Sequence, residues 1–239
     1  MIIEGKNSVL EALKSGLTIN KLMVQNNLND NMSNQIIKMA KDKGIRIDFV
    51  SKDVLDKKCA NRHQGFVCDT TDFKYGEVED ILNKAQEKKE DAFIVILDGI
   101  EDPHNFGAII RTCECAGVHG IIIPEHRACA VNDTVVKTSA GATANMIIAR
   151  VGNLNNIIET LQKENIWVYG LEVGGNEMTK TNLTGNIALV VGSEGKGISR
   201  LTKEKCDAVI TIKQKGQINS LNASVATAVA VYEVVRQRG

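Results

Sequence analysis

A chain of 239 residues, 43% apolar and 24% charged, is long enough for one large or two modest cores and has the balance of an ordinary soluble globular protein. Lysine plus arginine and aspartate plus glutamate each total 29, so the formal net charge is zero. That excludes a protein held on nucleic acid by overall charge and leaves room for a local basic face. No apolar run approaches the roughly 18–20 residues of a membrane span. The start Met1-Ile-Ile-Glu-Gly-Lys lacks the basic-then-apolar order of a secretory leader, so a cytoplasmic location is expected.

Residues 1–73 alternate short helical and strand-like pieces, the pattern of a small α/β unit. Asn7-Ser8 can cap a helix over Val9–Lys14 that Gly16 ends. Lys21–Gln25 reads as a strand, Ser33–Lys43 as a helix stopping at Gly44, Ile45–Val50 as a strand, and Ser51 can cap Lys52–Lys58. Gln64–Asp69 reads as a last strand. Residues 74–91 are rich in Lys, Glu, Asp and Gln, and Glu77–Lys88 fits a solvated helix with i,i+4 charge pairs at a junction between domains. From 92 to 239 the strands become continuously apolar: Phe93–Leu97, Gly120–Ile123, Met146–Ala149, Ile166–Leu171, Ile187–Val191 and Ala208–Ile212. Helical patterns at Asn105–Ala116, Asp133–Ala142, Leu154–Lys163 and Asn222–Arg238 separate most of them. That alternation predicts a parallel sheet covered on both faces.

Six cysteines, at 59, 68, 113, 115, 129 and 206, form no Cys-x-x-Cys pair, so reduced thiols are expected rather than disulfides or zinc. The four histidines (63, 104, 119, 126) show no metal-ligand spacing. Three other segments stand out. In Leu97-Asp-Gly-Ile-Glu-Asp-Pro-His-Asn-Phe-Gly-Ala-Ile-Ile-Arg-Thr112 a strand ends in a rigid turn around Pro103, one of only two prolines, and launches an apolar helix. Ligands of α/β proteins settle at such an edge. Asn105 stands at the helix start, where it either caps or faces a cleft. Arg111 follows six residues on, about 600° around the helix and so roughly 120° away. It interrupts an apolar face, which calls for an acidic or phosphate partner.

In Leu189-Val-Val-Gly-Ser-Glu-Gly-Lys-Gly-Ile-Ser199 a buried strand ends in three glycines around Glu194 and Lys196. Glycines let backbone approach a ligand closely. The spacing is neither Walker A nor Rossmann, because Gly192 and Gly195 are three apart and Gly197 follows Lys196. A nucleotide-phosphate enzyme is therefore disfavoured. In the third segment, Ile212 to Ala230, a strand feeds a polar loop and Asn219-Ser220-Leu221-Asn222 opens an Ala/Val-rich helix. Ser220 or Asn222 caps it. Ala223, Ala226 and Ala230 allow close packing, in the core or in a dimer.

These three segments, in this order, resemble the motifs of the SpoU (TrmH) family of RNA ribose 2′-O-methyltransferases, closely over about residues 95–239. The N-terminal Ile3-Glu-Gly-Lys-Asn-Ser-Val-Leu-Glu-Ala and Arg62-His-Gln-Gly resemble the family's substrate-binding domain. The layout is most similar to the bacterial RlmB type, which modifies a guanosine of 23S rRNA. The resemblance implies a SPOUT-type α/β fold, in which a parallel-sheet methyltransferase domain carries a deep C-terminal trefoil knot beside a small α/β RNA-binding domain. It implies S-adenosyl-L-methionine as cofactor, no metal, RNA rather than DNA as partner, no membrane, and a homodimer. By motif match Gly192, Ile212 and Leu221 line the cofactor site, and Asn105, Arg111, Glu194, Ser220 and Asn222 take catalytic or substrate-orienting positions. A sulfonium donor is already activated, so alignment and removal of the hydroxyl proton remain. A guanidinium is effectively always charged, so Arg111 is expected to hold phosphate and stabilise alkoxide charge rather than act as base, with Glu194 orienting it or contacting the nucleoside. Lys57, Lys58 and Arg62 are candidate phosphate contacts. A tRNA target, or an RNA-binding protein without catalysis, are the alternatives.

Overall fold

The structure, a computed structural model, describes residues 2–14, 17–59, 63–71, 73–217 and 220–239. Gly16, Arg62 and Asn219, to which the sequence assigns a helix stop, a phosphate contact and part of a polar cap, lie outside the described residues. The chain divides into two units, Met1–Lys74 with Ala130–Asp133, and Tyr75–Cys129 with Thr134–Gly239.

The first unit runs β1 (Ile2–Glu4), α1 (Lys6–Lys14), β2 (Thr18–Gln25), α2 (Asn31–Asp42), β3 (Ile47–Val50), α3 (Lys52–Asp56) and β4 (Phe66–Thr71), with strand order β1-β4-β2-β3. β4 runs antiparallel to both β1 and β2, and β3 parallel to β2. Alternation along the strands sends Leu22, Val24, Phe66 and Cys68 to the α1–α2 face and Met23 and Val67 to Leu55 of α3. One expectation is corrected, and one strand is added that the sequence pattern does not announce. β1 is three residues long, too short to register as a period. Gly5, at φ +92, turns the chain so that α1 starts at Lys6, ahead of the expected Asn7-Ser8 cap. In α2 the cap is Asp30, whose Oδ1 accepts from Ser33 N at 3.1 Å.

The second unit runs α4 (Val78–Lys88), β5 (Phe93–Asp98), α5 (Pro103–Cys115), β6 (Gly120–Pro124), α6 (Asp133–Thr138), β7 (Ile147–Val151), α7 (Leu154–Lys163), β8 (Trp167–Glu177), β9 (Ile187–Gly192), α8 (Arg200–Lys205), β10 (Ala208–Thr211) and α9 (Ala223–Arg238). Its six strands lie in the order β10-β8-β9-β5-β6-β7, and every neighbouring pair is parallel. Ile94, Ile96, Ile122 and Val190 are fully buried on one face under α4 and α7, while α9 packs on β9 and on α5. Each such side chain contributes about 1.5–3 kcal/mol relative to exposure. The charged segment before β5 is more than a solvated spacer. Val78, Ile81 and Ala85 put one face of α4 into this core, and Glu77 and Asp80 form a capping box at its start.

The order of strands places β5 beside β9, so the connections after both leave the same carboxyl edge. That edge is where a parallel sheet offers a ligand crevice. β8 departs from the expected short strand. Its register against β10 jumps from Gly170↔Val209 to Asn176↔Ile210, so residues 171–175 leave the ladder at the same edge.

Candidate active site

Helix α5 begins two residues earlier than its periodicity suggests. Pro103 takes its first position and Asp102 caps it, Oδ1 accepting from Asn105 N at 2.8 Å. Asn105 is therefore not the cap, and its side chain is left to reach outward. Its Nδ2 donates to Glu194 Oε1 at 3.0 Å and its Oδ1 accepts from Asn222 Nδ2 at 3.0 Å. Asn222 Nδ2 also donates to Glu194 Oε1, as does Ala223 N at 3.3 Å. Asn222 caps α9 as expected, its Oδ1 accepting from Ser224 N and Val225 N at 2.9 and 3.3 Å. Three segments far apart in sequence thus close on one carboxylate oxygen.

Glu194 is held by a tight turn. Ser193 N donates to Gly197 O at 3.1 Å and Gly197 N to Ser193 O at 2.9 Å, with Gly195 and Gly197 at φ +82 and +67. Two carboxylates anchor the turn to flanking strands. Asp98 Oδ2, at the end of β5, accepts from Ser199 N at 2.8 Å. Glu172 Oε2, in the excursion of β8, accepts from Ile198 N at 3.2 Å, while its Oε1 pairs with Lys203 Nζ at 2.9 Å. Gly192 cannot carry a Cβ, which would run into the backbone of Gly197 and Ile198.

Beside this cluster lies a cavity of about 600 Å³. Leu171, Val173, Val191, Ile212, Leu221 and Ala226 are its apolar lining, and Gly192, Glu194 and Ser220 line it too. All three residues expected to face a cofactor are there, and four of the five expected catalytic positions are in the cluster or on the cavity wall. Arg111 is the exception. It is exposed, two turns into α5, and makes no hydrogen bond or ion pair with the described residues. Glu194 does not reach it: the Glu194 Oε1 accepts from the two asparagines and Ala223 N. Asp98 and Glu172 were not singled out from sequence. A charged residue directly after a continuous apolar strand was the available signal.

Among the described residues no group of three or more His, Cys, Asp or Glu side chains is placed to hold a metal. Burial pushes the thiol of Cys68 up to about 11 and that of Cys206 to about 12, with neighbouring carboxylates adding to both, so neither is a nucleophile near neutrality. No helix of the described residues is long and apolar enough to cross a membrane.

Fold and site together define an α/β protein with a ligand crevice at the carboxyl edge of a parallel sheet, walled by a glycine turn and a helix N-terminus. Residues 92–232 match the SpoU rRNA Methylase family, and residues 2–76 match the RNA 2'-O ribose methyltransferase substrate binding family. YacO of Bacillus subtilis, assigned to the TrmH family of tRNA/rRNA methyltransferases, is 44% identical over 98% of this chain and 94% of its own. A TrmH family relative in Staphylococcus saprophyticus is 40% identical over 100% of this chain and 96% of its own. The SpoU methyltransferase AviRb of Streptomyces viridochromogenes, solved with AdoMet, superposes with a TM-score of 0.63 at 22% identity, over 99% of this chain and 90% of that one. The chain belongs to the SpoU/TrmH family of RNA methyltransferases.

Proposed function

We propose that the protein transfers a methyl group from S-adenosyl-L-methionine to a ribose 2′-hydroxyl of RNA, with a guanosine of 23S rRNA as its target. The carrying observation is the convergence of Asn105, Glu194 and Asn222 at the wall of the 600 Å³ cavity. That cavity suits the cofactor: Leu171, Val173, Val191, Ile212, Leu221 and Ala226 give it an apolar stretch of wall, and polar residues, among them Glu194 and Ser220, line the rest. Gly192, Ile212 and Leu221 would hold it there. The cofactor supplies an activated methyl, and the chain supplies alignment. Glu194, fixed by three donors, accepts the hydrogen bond of the 2′-hydroxyl, and the two asparagines prevent it from turning away. Ser220 orients the ribose, and Asn222 does so through the Glu194 carboxylate that it holds. Arg111 lies about 9 Å along the α5 axis from Asn105, given six residues at roughly 1.5 Å each, and binds a phosphate of the RNA rather than the reacting oxygen.

In this reading residues 1–73 recognise RNA, with exposed Lys57 and Lys58 against phosphate, residues 74–91 join the parts, and residues 92–239 carry the transfer in a trefoil-knotted C-terminal fold. The exposed Val225, Val229 and Tyr232 on α9 support a homodimer. Isothermal titration with S-adenosylmethionine, followed by mapping of 2′-O-methyl sites in rRNA from cells lacking the protein before and after treatment with it, tests the reading. Binding together with restoration of one guanosine mark in 23S rRNA is expected. No cofactor binding would leave an RNA-binding protein without catalysis, and labelling confined to tRNA would replace the substrate.

A further inference from the structure

A second cavity adjoins the first and shares Ser193, Glu194, Lys196 and Gly197 of the turn with it. It encloses about 370 Å³, near the lower end of the roughly 300–1,000 Å³ of small-ligand pockets. Asn105 lines it as well, so the cluster stands between the cofactor cavity and this one. The opposite wall is the connection from β5 to α5.

Its charges decide what can enter. Asp98, Glu101, Asp102 and Glu194 line it against two cations, Arg127 and Lys196. Four carboxylates repel a phosphate, so the occupant is an uncharged part of the RNA. Three of the four are engaged, Asp98 with Ser199 N, Asp102 with Asn105 N, and Glu194 with the cluster. Glu101 is exposed and makes no hydrogen bond or ion pair with the described residues. A carboxylate is an acceptor only, and two oxygens side by side match two adjacent donors. Guanine offers such a pair, N1–H and the 2-amino group, on its Watson–Crick edge, which RNA-binding proteins read on unstacked bases. On its other edge O6 and N7 accept from arginine or lysine, the commonest specific contact to this base.

We propose that this second cavity seats the target guanine and that Glu101 reads its N1–H and 2-amino group, with Arg127 or Lys196 on the O6 and N7 side. The inference rests on the methyl-transfer reading above. It assigns base choice to a residue outside the catalytic cluster, on the free stretch of a loop whose ends are fixed by Asp98 and Asp102.

The test uses the full chain, S-adenosylmethionine, and RNA assembled with either guanosine or inosine at the mapped target. Inosine lacks only the 2-amino group. Wild-type kcat/KM should fall about tenfold or more with inosine, the loss of one good base contact. Glu101→Ala should slow methylation of guanosine RNA by a similar factor, treat the two RNAs alike, and leave cofactor affinity unchanged. Equal wild-type rates on both RNAs, or retained discrimination in Glu101→Ala, overturns the assignment while leaving the methyltransferase reading intact. Absence of any transfer to the guanosine RNA overturns both.

Discussion

Glu194 has an oxygen that accepts from Asn105, Asn222 and the Ala223 amide, and this makes it the pivot of the site. Glu194→Gln keeps the size and removes the charge. It should lower kcat by roughly 10²-fold, the scale of losing one preorganised electrostatic contact, with cofactor affinity changed little, as single-turnover assays and titration would report. Arg111, without a partner among the described residues, should behave differently: Arg111→Ala weakens RNA binding and transfer, and Arg111→Lys recovers part of it if point charge suffices. No recovery would indicate bidentate holding of a phosphate. Away from the site, His119 is 1% exposed, its Nδ1 accepts from Phe93 N at 3.0 Å, and its Nε2 therefore donates to Glu90 at 3.0 Å. Burial lowers its pKa below 6.5, outweighing the opposing pull of Glu90. A lowered histidine value means the fold prefers the neutral ring. The stabilisation is complete above about pH 6.5 and declines as pH falls through the folded value, because protonation removes the acceptor for Phe93 N. The melting temperature of wild type should drop between pH 7 and 5 more steeply than that of His119→Asn. Parallel curves would sink this account.

At the scale of elements, the glycine turn and helix α9 are positioned from opposite ends of the sheet. Gly192 touches the turn so closely that a methyl group would displace Gly197 and Ile198. Gly192→Ala should weaken S-adenosylmethionine binding at least about tenfold, through a shifted turn rather than a lost contact, and over-packing of this kind costs about 1–3 kcal/mol of stability. At the far edge Arg238 fastens the end of α9. Its guanidinium donates to Asp91 O and Ala92 O at 3.1 Å each and to Gly185 O at 2.5 Å, and lies 4.9 Å from the Phe93 ring centroid. Hydrogen bonds to a charged group contribute about 1.5–3 kcal/mol each, with incomplete additivity. Arg238→Ala should cost about 2–4 kcal/mol in urea unfolding, and Arg238→Lys should recover less than half, because one ammonium cannot serve three divergent carbonyls.

For the whole molecule the net charge of zero constrains RNA binding. Affinity must come from local cations, and the fall in binding with salt counts the phosphates they neutralise. Changing Lys57 and Lys58 together to glutamine should reduce the slope of log K against log salt by up to about 2 and weaken binding with little regard to sequence, as filter binding at several salt concentrations would show. An unchanged slope would remove these lysines from the interface.

The sequence by itself carried the elements and the family. Apolar runs such as Phe93–Leu97 and Ile187–Val191 announce buried parallel strands because burial on both faces leaves no polar alternation, and the turn residues Pro103, Gly192 and Asn222 are visible as residue types. What stayed hidden depended on distance in space. In sequence Asn105 can either cap the helix or face a cleft, and Asp102 in the cap position decides for the second, while Asp98 and Glu172 have no visible task without the turn they anchor between them. The protruding residues 171–175 of β8 break no periodic rule that a single strand shows. Only tertiary structure decides that positions 105, 194 and 222 share one oxygen, because a hydrogen bond depends on separation in ångströms while a sequence records separation along the chain.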